Sequence, residues 1–495
     1  MKKNTILLLA VAMTGILPGC KKFVEKGDVN TNPNRPPFVT LNTLLPAVET
    51  ATAANHTNVA YITSMFSQQM AAYTSGPIND DQHRDVRISA AYAGIYQNGL
   101  TNAKILLDLA REQGSPHYRA IARILFVTNL ALATDTWGEI PLTEAFNAPA
   151  QLYPAYESQQ SIYDFMHKYL DSAITEIGQT NPATVRPGVD DLIYGGTMAS
   201  WTQTAWFLKA RLYMHTTKKG VAAATSNALA ALGNAFTSSS KPYQVVYSDR
   251  NNNPWFIQVS GRISGSQVFT IGPSKRFVDA LTGITYPGLF DPRIDTLIFK
   301  SGTGVYTGIP NGAGNVSNNV NLTDVTFYGR RVAPLLMGSY FEQKLMEAEA
   351  LFLANGGTQT STGSTPAAYA AYMEGIVANL RYLGYDTLLT TPNGIKGKTY
   401  VNLPQVRSSA AALRLELIMR EKHVALFLNP EAWTDMRRYD YSTTLYPGVA
   451  LPLNQDAGMG GQFIRRALYP LDEINRNPNA QAALKTLTTK VWWDE

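Results

Sequence analysis

Six histidines, two groups of neighbouring acids and a handful of loop aromatics are where chemistry could reside in this chain. The histidines are His56, His83, His117, His167, His215 and His423. No two stand at metal-ligand spacing, and none belongs to the His-Glu-x-x-His pattern that presents two imidazoles on one helix face to zinc. Asp80 and Asp81 lie in a polar loop, and Glu347 and Glu349 in a helical run. A carboxylate pair hydrolyses a glycosidic bond only at a defined separation across a cleft, and neighbours in sequence do not supply that. No Gly-x-Ser-x-Gly elbow occurs. Gly302, Gly304 and Gly308 make a glycine run one residue too long for a dinucleotide loop, with no βαβ pattern around it. Asp249, Asn251 and Asn253 open like a calcium loop. Pro254 then stands where glycine is needed and the closing acid is missing, so the segment reads as a turn. No metal and no cofactor is called for, and the lack of a catalytic signature favours a binding protein.

The aromatics point the same way. The chain has 26 Tyr, 18 Phe and 7 Trp. Neutral sugars are held by aromatic faces against their C–H surfaces, with amides, carboxylates and arginines on their hydroxyls. Candidate ligand residues are therefore aromatics in loops that also carry such groups. Trp255 follows Asn253, Tyr73 leads toward Asp80 and Asp81, and Tyr286 and Tyr306 sit in a glycine-rich middle segment. Each could equally be a loop aromatic folded back onto the protein. Trp201 and Trp206 fall in a helical run and read as core.

The elements that would position these residues are mostly helices. Tyr92, Tyr96, Ala103 and Leu107 share a face at helical spacing. Ile121, Leu125, Thr128 and Leu132 do the same, as do Trp201, Ala205, Leu208 and Leu212, and Phe341, Leu345, Ala348 and Phe352. Leu413, Leu417, Val424 and Leu428 form a last stripe. Short polar breaks separate neighbouring helices, which predicts a mainly α protein of tetratricopeptide-like helix pairs, an α-solenoid scaffold, with a few short strands. The scaffold is expected over 41–238 and 336–430. Residues 239–335 are rich in Gly, Asn, Ser, Thr and Pro and read as a loop-rich insertion on the ligand side. It holds a β-like piece at Gln267–Ile271 and a long loop from Ser301 to Asn321. A second irregular stretch is expected from Thr387 to Ser408.

The amino terminus is a different kind of segment. Lys2 and Lys3 precede an apolar run from Ile6 to Ile16, then Leu17-Pro18-Gly19-Cys20. That is a secretory signal, too short to remain as a membrane span. The cut site resembles a bacterial lipobox with an unusual Pro18, which makes residues 1–19 a signal peptide and Cys20 a lipid attachment point. The alternative is an ordinary secretion signal with an incidental cysteine. Cys20 is the only cysteine in 495 residues, so the exported chain must hold together without disulfides. Residues 20–40 read as a lipidated tether and 41–495 as a single domain. The formal charge is +5. Loss of Lys2 and Lys3 leaves 5 − 2 = +3, and no basic stripe suggests nucleic acid.

Five segments in order are similar to those of the SusD/RagB family, and more narrowly to its SusD-like subgroup. They are Asn32-Pro33-Asn34; Asp135-Thr136-Trp137-Gly138-Glu139-Ile140-Pro141 with Glu144-Ala145; Phe277-Val278-Asp279 with Asp291-Pro292-Arg293; Arg420-Glu421-Lys422-His423 running to Asp435-Met436-Arg437-Arg438; and Arg465-Arg466-Ala467-Leu468-Tyr469-Pro470 with Asp472-Glu473-Ile474-Asn475. The resemblance implies a cell-surface, outer-membrane lipoprotein. Such a protein binds a nutrient oligomer without cleaving it and passes it to a TonB-dependent β-barrel transporter of the SusC-like kind. It implies an oligosaccharide ligand, with oligopeptide as the alternative. A lipid-anchored glycoside hydrolase and a scaffold acting only through protein contacts are the more distant rivals. The stacking aromatics of the starch-binding prototype do not align here, so no ligand residue carries over.

Overall fold

Four of the scaffold helices begin on a serine or threonine that caps them. In the computed structural model, which describes residues 39–73, 77–147, 150–183, 185–237, 241–264, 271–314 and 319–495, helix α1 spans Leu41–Phe66. Helix α2 (Thr101–Glu112) is entered through a π-helical stretch, Ile95–Leu100. Helix α3 (Pro116–Trp137) starts on a proline, whose missing N–H costs nothing in a first turn. Helix α4 (Gln159–Ile177) is capped by Ser158, which accepts from the Ser161 N–H at 3.2 Å. Helices α5 (Met198–His215) and α6 (Val221–Leu232) follow. Helix α7 (Lys275–Thr282) is capped by Ser274 and ends on Gly283 in the left-handed conformation. Helix α8 (Tyr340–Ala354) is capped by Ser339, and α9 (Pro366–Tyr382) by Thr365. The scaffold closes with α10 (Leu415–Ala425) and α11 (Glu431–Arg438).

Successive helices pack on one another: α2 on α3, α3 on α4, α4 on α5, α5 on α6 and α8 on α9. Helix α1 lies against α2 and α3, and α8 against α10. This is the mainly α, helix-pair architecture expected from the periodicity. The stripes through Ile121, Trp201 and Phe341 are buried along their whole length, and each large side chain removed from water contributes about 1.5 to 3 kcal/mol. The Tyr92 stripe runs through the π-helical stretch. There Gly94 and Gly99 meet the amide pair of Asn55 and Asn129, joined at 2.8 Å. The last stripe is only partly helical, because Leu413 precedes α10 and Leu428 follows it with φ of 63°.

The strands are short two-stranded pairs. Strand β1 (Met70–Ala72) lies antiparallel to β5 (Ile271–Pro273), β2 (Ile140–Pro141) to β3 (Tyr156–Glu157), β4 (Tyr243–Val245) to β8 (Leu335–Gly338), and β6 (Phe299–Lys300) to β7 (Val320–Asn321). Of the β-like piece at Gln267–Ile271, residues 267–270 lie outside the described residues and Ile271 opens β5. One expectation is corrected: the stretch Thr387–Ser408 contains a helix, Pro392–Val401, capped by Thr391 with Pro392 in its first turn. That Thr-Pro start signal was readable, but Gly394 and Gly397 inside the helix hid it. Both are required by close approach, since a Cβ on Gly397 would meet the Tyr385 carbonyl at 2.5 Å.

Leu41–Glu495 is one compact unit. The expected signal peptide, Cys20 and the tether up to residue 38 lie outside the described residues. Among those described, no helix is long and apolar enough to cross a membrane.

Candidate functional site

The loop-rich insertion is tied to the scaffold by Asp81. Its carboxylate accepts from the Ala72 N–H at 2.9 Å, the Asn311 amide at 2.8 Å and the Gly312 N–H at 2.8 Å. Asn311 also donates to the Met70 carbonyl at 2.9 Å, and Gln82 donates to the Gly312 carbonyl at 2.7 Å. A third chain segment joins through the Leu453 N–H, which donates to Asn311 at 2.8 Å. Gly312 adopts φ of 74°, and a Cβ there would meet the Leu453 carbonyl at 2.0 Å. Asp81 is buried, so its charged form is disfavoured and its carboxyl is pushed up to about 6 in spite of three donors. Asp80 is pushed up to about 6 by burial and by the charges of Asp81 and Asp85.

Around this anchor the structure assembles part of the expected set. Tyr73 is half-buried and follows β1, with its ring over Gly272 of β5 beside Ile309. Tyr306 is half-buried in the 301–321 loop; its hydroxyl donates to Asp295 at 2.9 Å, and Lys300 lies 4.7 Å from the ring centre. Ile309 pairs with Ser274, so the Tyr306 loop and the start of α7 are held together. Tyr286 is half-buried on the loop after α7, with the Arg420 guanidinium 5.3 Å from its ring. Ile284, Phe290, Val305 and Leu453 are exposed on the same loops.

Asn253 and Trp255 are placed differently. Asn253 is fully buried; its amide donates to the Ala333 carbonyl at 2.8 Å and its oxygen accepts from the Trp255 N–H at 2.7 Å. The indole of Trp255 is 3% exposed and packs near Tyr61. As placed, both brace the insertion from beneath and offer no face to a ligand. The cause is tertiary: the Asn251–Pro254 turn points inward toward β8, a direction a turn sequence does not encode.

Glu347 and Glu349, singled out in the sequence, are both engaged in ion pairs. Glu347 pairs with Lys344 at 2.9 Å. Glu349 is fully buried and accepts from Lys422, Arg438 and Tyr439 at 2.9, 2.6 and 2.6 Å. Among the described residues one group could offer a metal three ligands: Asp135, His215 and Glu431, with donor atoms within 4.8 Å of one another. There the His215 ring already contacts the Tyr163 hydroxyl at 2.9 Å and Glu431 at 2.8 Å, while Trp493 donates to Asp135 at 2.8 Å. Both ring nitrogens are engaged, so the group reads as a buried hydrogen-bonded relay of the core.

A cleft with about 470 Å³ of free space, which loop composition did not reveal, lies between the second and fifth sequence motifs. Tyr92, Tyr96, Gln151, Glu473 and Arg476 are among its walls. Its signal lay in the motifs themselves, which the fold brings together.

Comparison with known proteins settles the fold and the family. The family described as "Starch-binding associating with outer membrane", SusD-like, matches residues 33–470. The chain belongs to the SusD-like family. A SusD/RagB family protein from Bacteroides thetaiotaomicron superposes with a TM-score of 0.75 at 22% identity, covering 92% of this chain and 99% of that one. A chitin-binding protein gives 0.73 at 23% identity over 92% and 100%. A chitin-binding SusD homolog from Flavobacterium johnsoniae gives 0.66 at 20% over 90% and 98%. No curated protein matches the chain in sequence. SusD-like proteins are binding proteins associated with the outer membrane, and glycan binding is the property their family description carries.

Proposed function

We propose that this SusD-like chain captures an oligosaccharide at the cell surface without cleaving it. It then delivers the ligand to a TonB-dependent, SusC-like β-barrel in the outer membrane, to which lipid on Cys20 holds it. The observation that carries this reading is the family match across residues 33–470, with its starch-binding, outer-membrane description. The chitin-binding names of two structural neighbours support a glycan over a peptide. The ligand face is the loop cluster anchored by Asp81. Tyr73, Tyr286 and Tyr306 are the half-exposed rings there, with Asp80 beside them for hydroxyls, while Asn253, Trp255 and Asp81 hold the loops in shape.

Titration calorimetry against chitin, starch and other oligosaccharides, beside a peptide panel, tests the reading. Binding of one glycan, weakened at least tenfold in Tyr73→Ala or Tyr306→Ala, is expected, since one stacked aromatic contributes about 1 to 3 kcal/mol. Binding of peptides alone would transfer the chain to peptide capture. Loss of glycan binding in Arg476→Ala but in neither tyrosine variant would move the site to the 470 Å³ cleft.

A further inference from the structure

Arg276 is a half-buried cation without an anion. It stands in the first turn of α7, and among the described residues no carboxylate lies within 4.0 Å of its nitrogens. Its Nη1 donates to His423 Nε2 at 3.1 Å, and its Nε is buried with no acceptor. Because His423 Nε2 accepts that bond, the imidazole hydrogen is on Nδ1, and that atom too is buried with no partner. The Tyr446 hydroxyl, on a residue 1% exposed, is the third such group. The three residues touch. The Arg276 guanidinium is 5.8 Å from the Tyr446 ring centre, and the His423 and Tyr446 rings are 5.9 Å apart. All three line one small cavity with about 20 Å³ of free space, beside Tyr286 and Arg420.

The chemistry of this cavity is one-sided. Each unpartnered atom can donate, and among the described residues none of the three atoms meets an acceptor. Asp291 also lines the cavity, but Arg293 holds both its oxygens at 2.5 to 3.0 Å. Glu416, beside Tyr286, is paired with Arg414 at 3.1 Å. Arg420 is bound to Glu421 and the Gln405 carbonyl. Three buried donor atoms without acceptors are costly unless an acceptor joins them, and the guanidinium charge beside them favours an anionic one. Burial and the adjoining Arg276 hold His423 well below the usual histidine range, so the imidazole stays neutral and keeps its single N–H. The free space is small, so only a compact polar group could enter it.

We propose that Arg276, His423 and Tyr446 form a carboxylate subsite of the ligand face, and that the captured glycan carries uronic acid residues. The sugar ring bearing the carboxylate would rest at Tyr286, whose loop also exposes Ile284 and Phe290. This deepens the glycan-capture reading and rests on it.

The test uses sodium glucuronate and sodium acetate as probes, with glucose as the neutral control, at matched ionic strength on the detergent-solubilised full chain. Expected are saturable thermal shifts with glucuronate at a midpoint at least tenfold below that for glucose, a smaller response to acetate, and loss of the glucuronate response in Arg276→Met. Tyr446→Phe keeps the ring and removes the hydroxyl, so it should weaken glucuronate several-fold even if Arg276→Met fails to fold. Equal responses to glucuronate and glucose, or an unchanged glucuronate midpoint in the variants, would overturn the subsite. If neutral chitin oligosaccharides bind the same preparation while glucuronate does not, the subsite falls and glycan capture stands. If an acidic tripeptide binds through Arg276 more tightly than glucuronate and no oligosaccharide binds, glycan capture falls with it.

Discussion

Gly138 and Arg466, far apart in sequence, are packed backbone against guanidinium: a Cβ built on Gly138 would lie 2.0 Å from Arg466 Nη2. The same nitrogen donates to the Trp137 carbonyl and to Glu139 at 2.5 Å. The Trp137 indole N–H donates to the carbonyls of Arg87 and Leu468, each at 3.1 Å. Two sequence motifs thus close on each other through one glycine. Gly138 has φ of 82°, so alanine there would suffer both the backbone strain and the contact. Gly138→Ala should lose about 2 to 4 kcal/mol in urea unfolding, while Gly114→Ala, with φ of 65° but open space around it, should lose only about 1 kcal/mol.

The acid pair beneath the ligand face should make stability fall as pH rises. Asp80 and Asp81 are both raised to about 6 from an ordinary 3.8. The folded state therefore holds their protons more tightly than the unfolded chain. Their favourable contribution is complete below pH 3.8 and is lost as pH climbs through about 6. Asp80→Asn should raise stability at pH 7 by about 1 kcal/mol and flatten the pH dependence across that window, read from denaturation midpoints at half-unit steps.

Glu349 works with the opposite sign. Burial alone would raise it, but Arg438 and Lys422 outweigh burial and hold it at about 2, below its ordinary 4.5. The stability it contributes is present above pH 4.5 and is lost as pH falls toward 2. Arg438→Met would leave Glu349 and Asp435 buried with one cation between them, Lys422. A loss of about 3 to 5 kcal/mol at pH 7 is expected, measured by chemical denaturation. Glu349→Gln should reduce the acid slope between pH 4.5 and 2, with Glu421 and Glu431, also held low, keeping the rest.

The proposed lipid anchor has its own test. Cys20→Ala in the full precursor should move the protein from the membrane pellet to the soluble fraction, and surface biotinylation of intact cells should label the wild-type protein. A Cys20→Ala chain that stays membrane-bound would contradict the anchor.

Helix stripes were legible because burial repeats every turn: Ile121, Leu125, Thr128 and Leu132 announced their face before any contact was known. The loop cluster proposed as the ligand face was legible only in part. Composition marked the 239–335 insertion, and Tyr73, Asp81 and Tyr306 do come together there. But Asn253 and Trp255 turn inward, and nothing in an asparagine-rich turn states its direction. Arg276 was passed over because its lack of a partner is a property of its neighbours alone.

By itself, then, the sequence determined the helix-pair class and the family resemblance, and it carries the expectation of an export signal ending at Cys20. Each is written in local periodicity, local turn chemistry or the order of short motifs. The tertiary structure decided which loop aromatics keep a face to solvent, which acids are neutralised, and where a cation is left without an anion. Those are sums over residues as distant as Arg276, His423 and Tyr446, and such sums exist only once the chain has closed on itself.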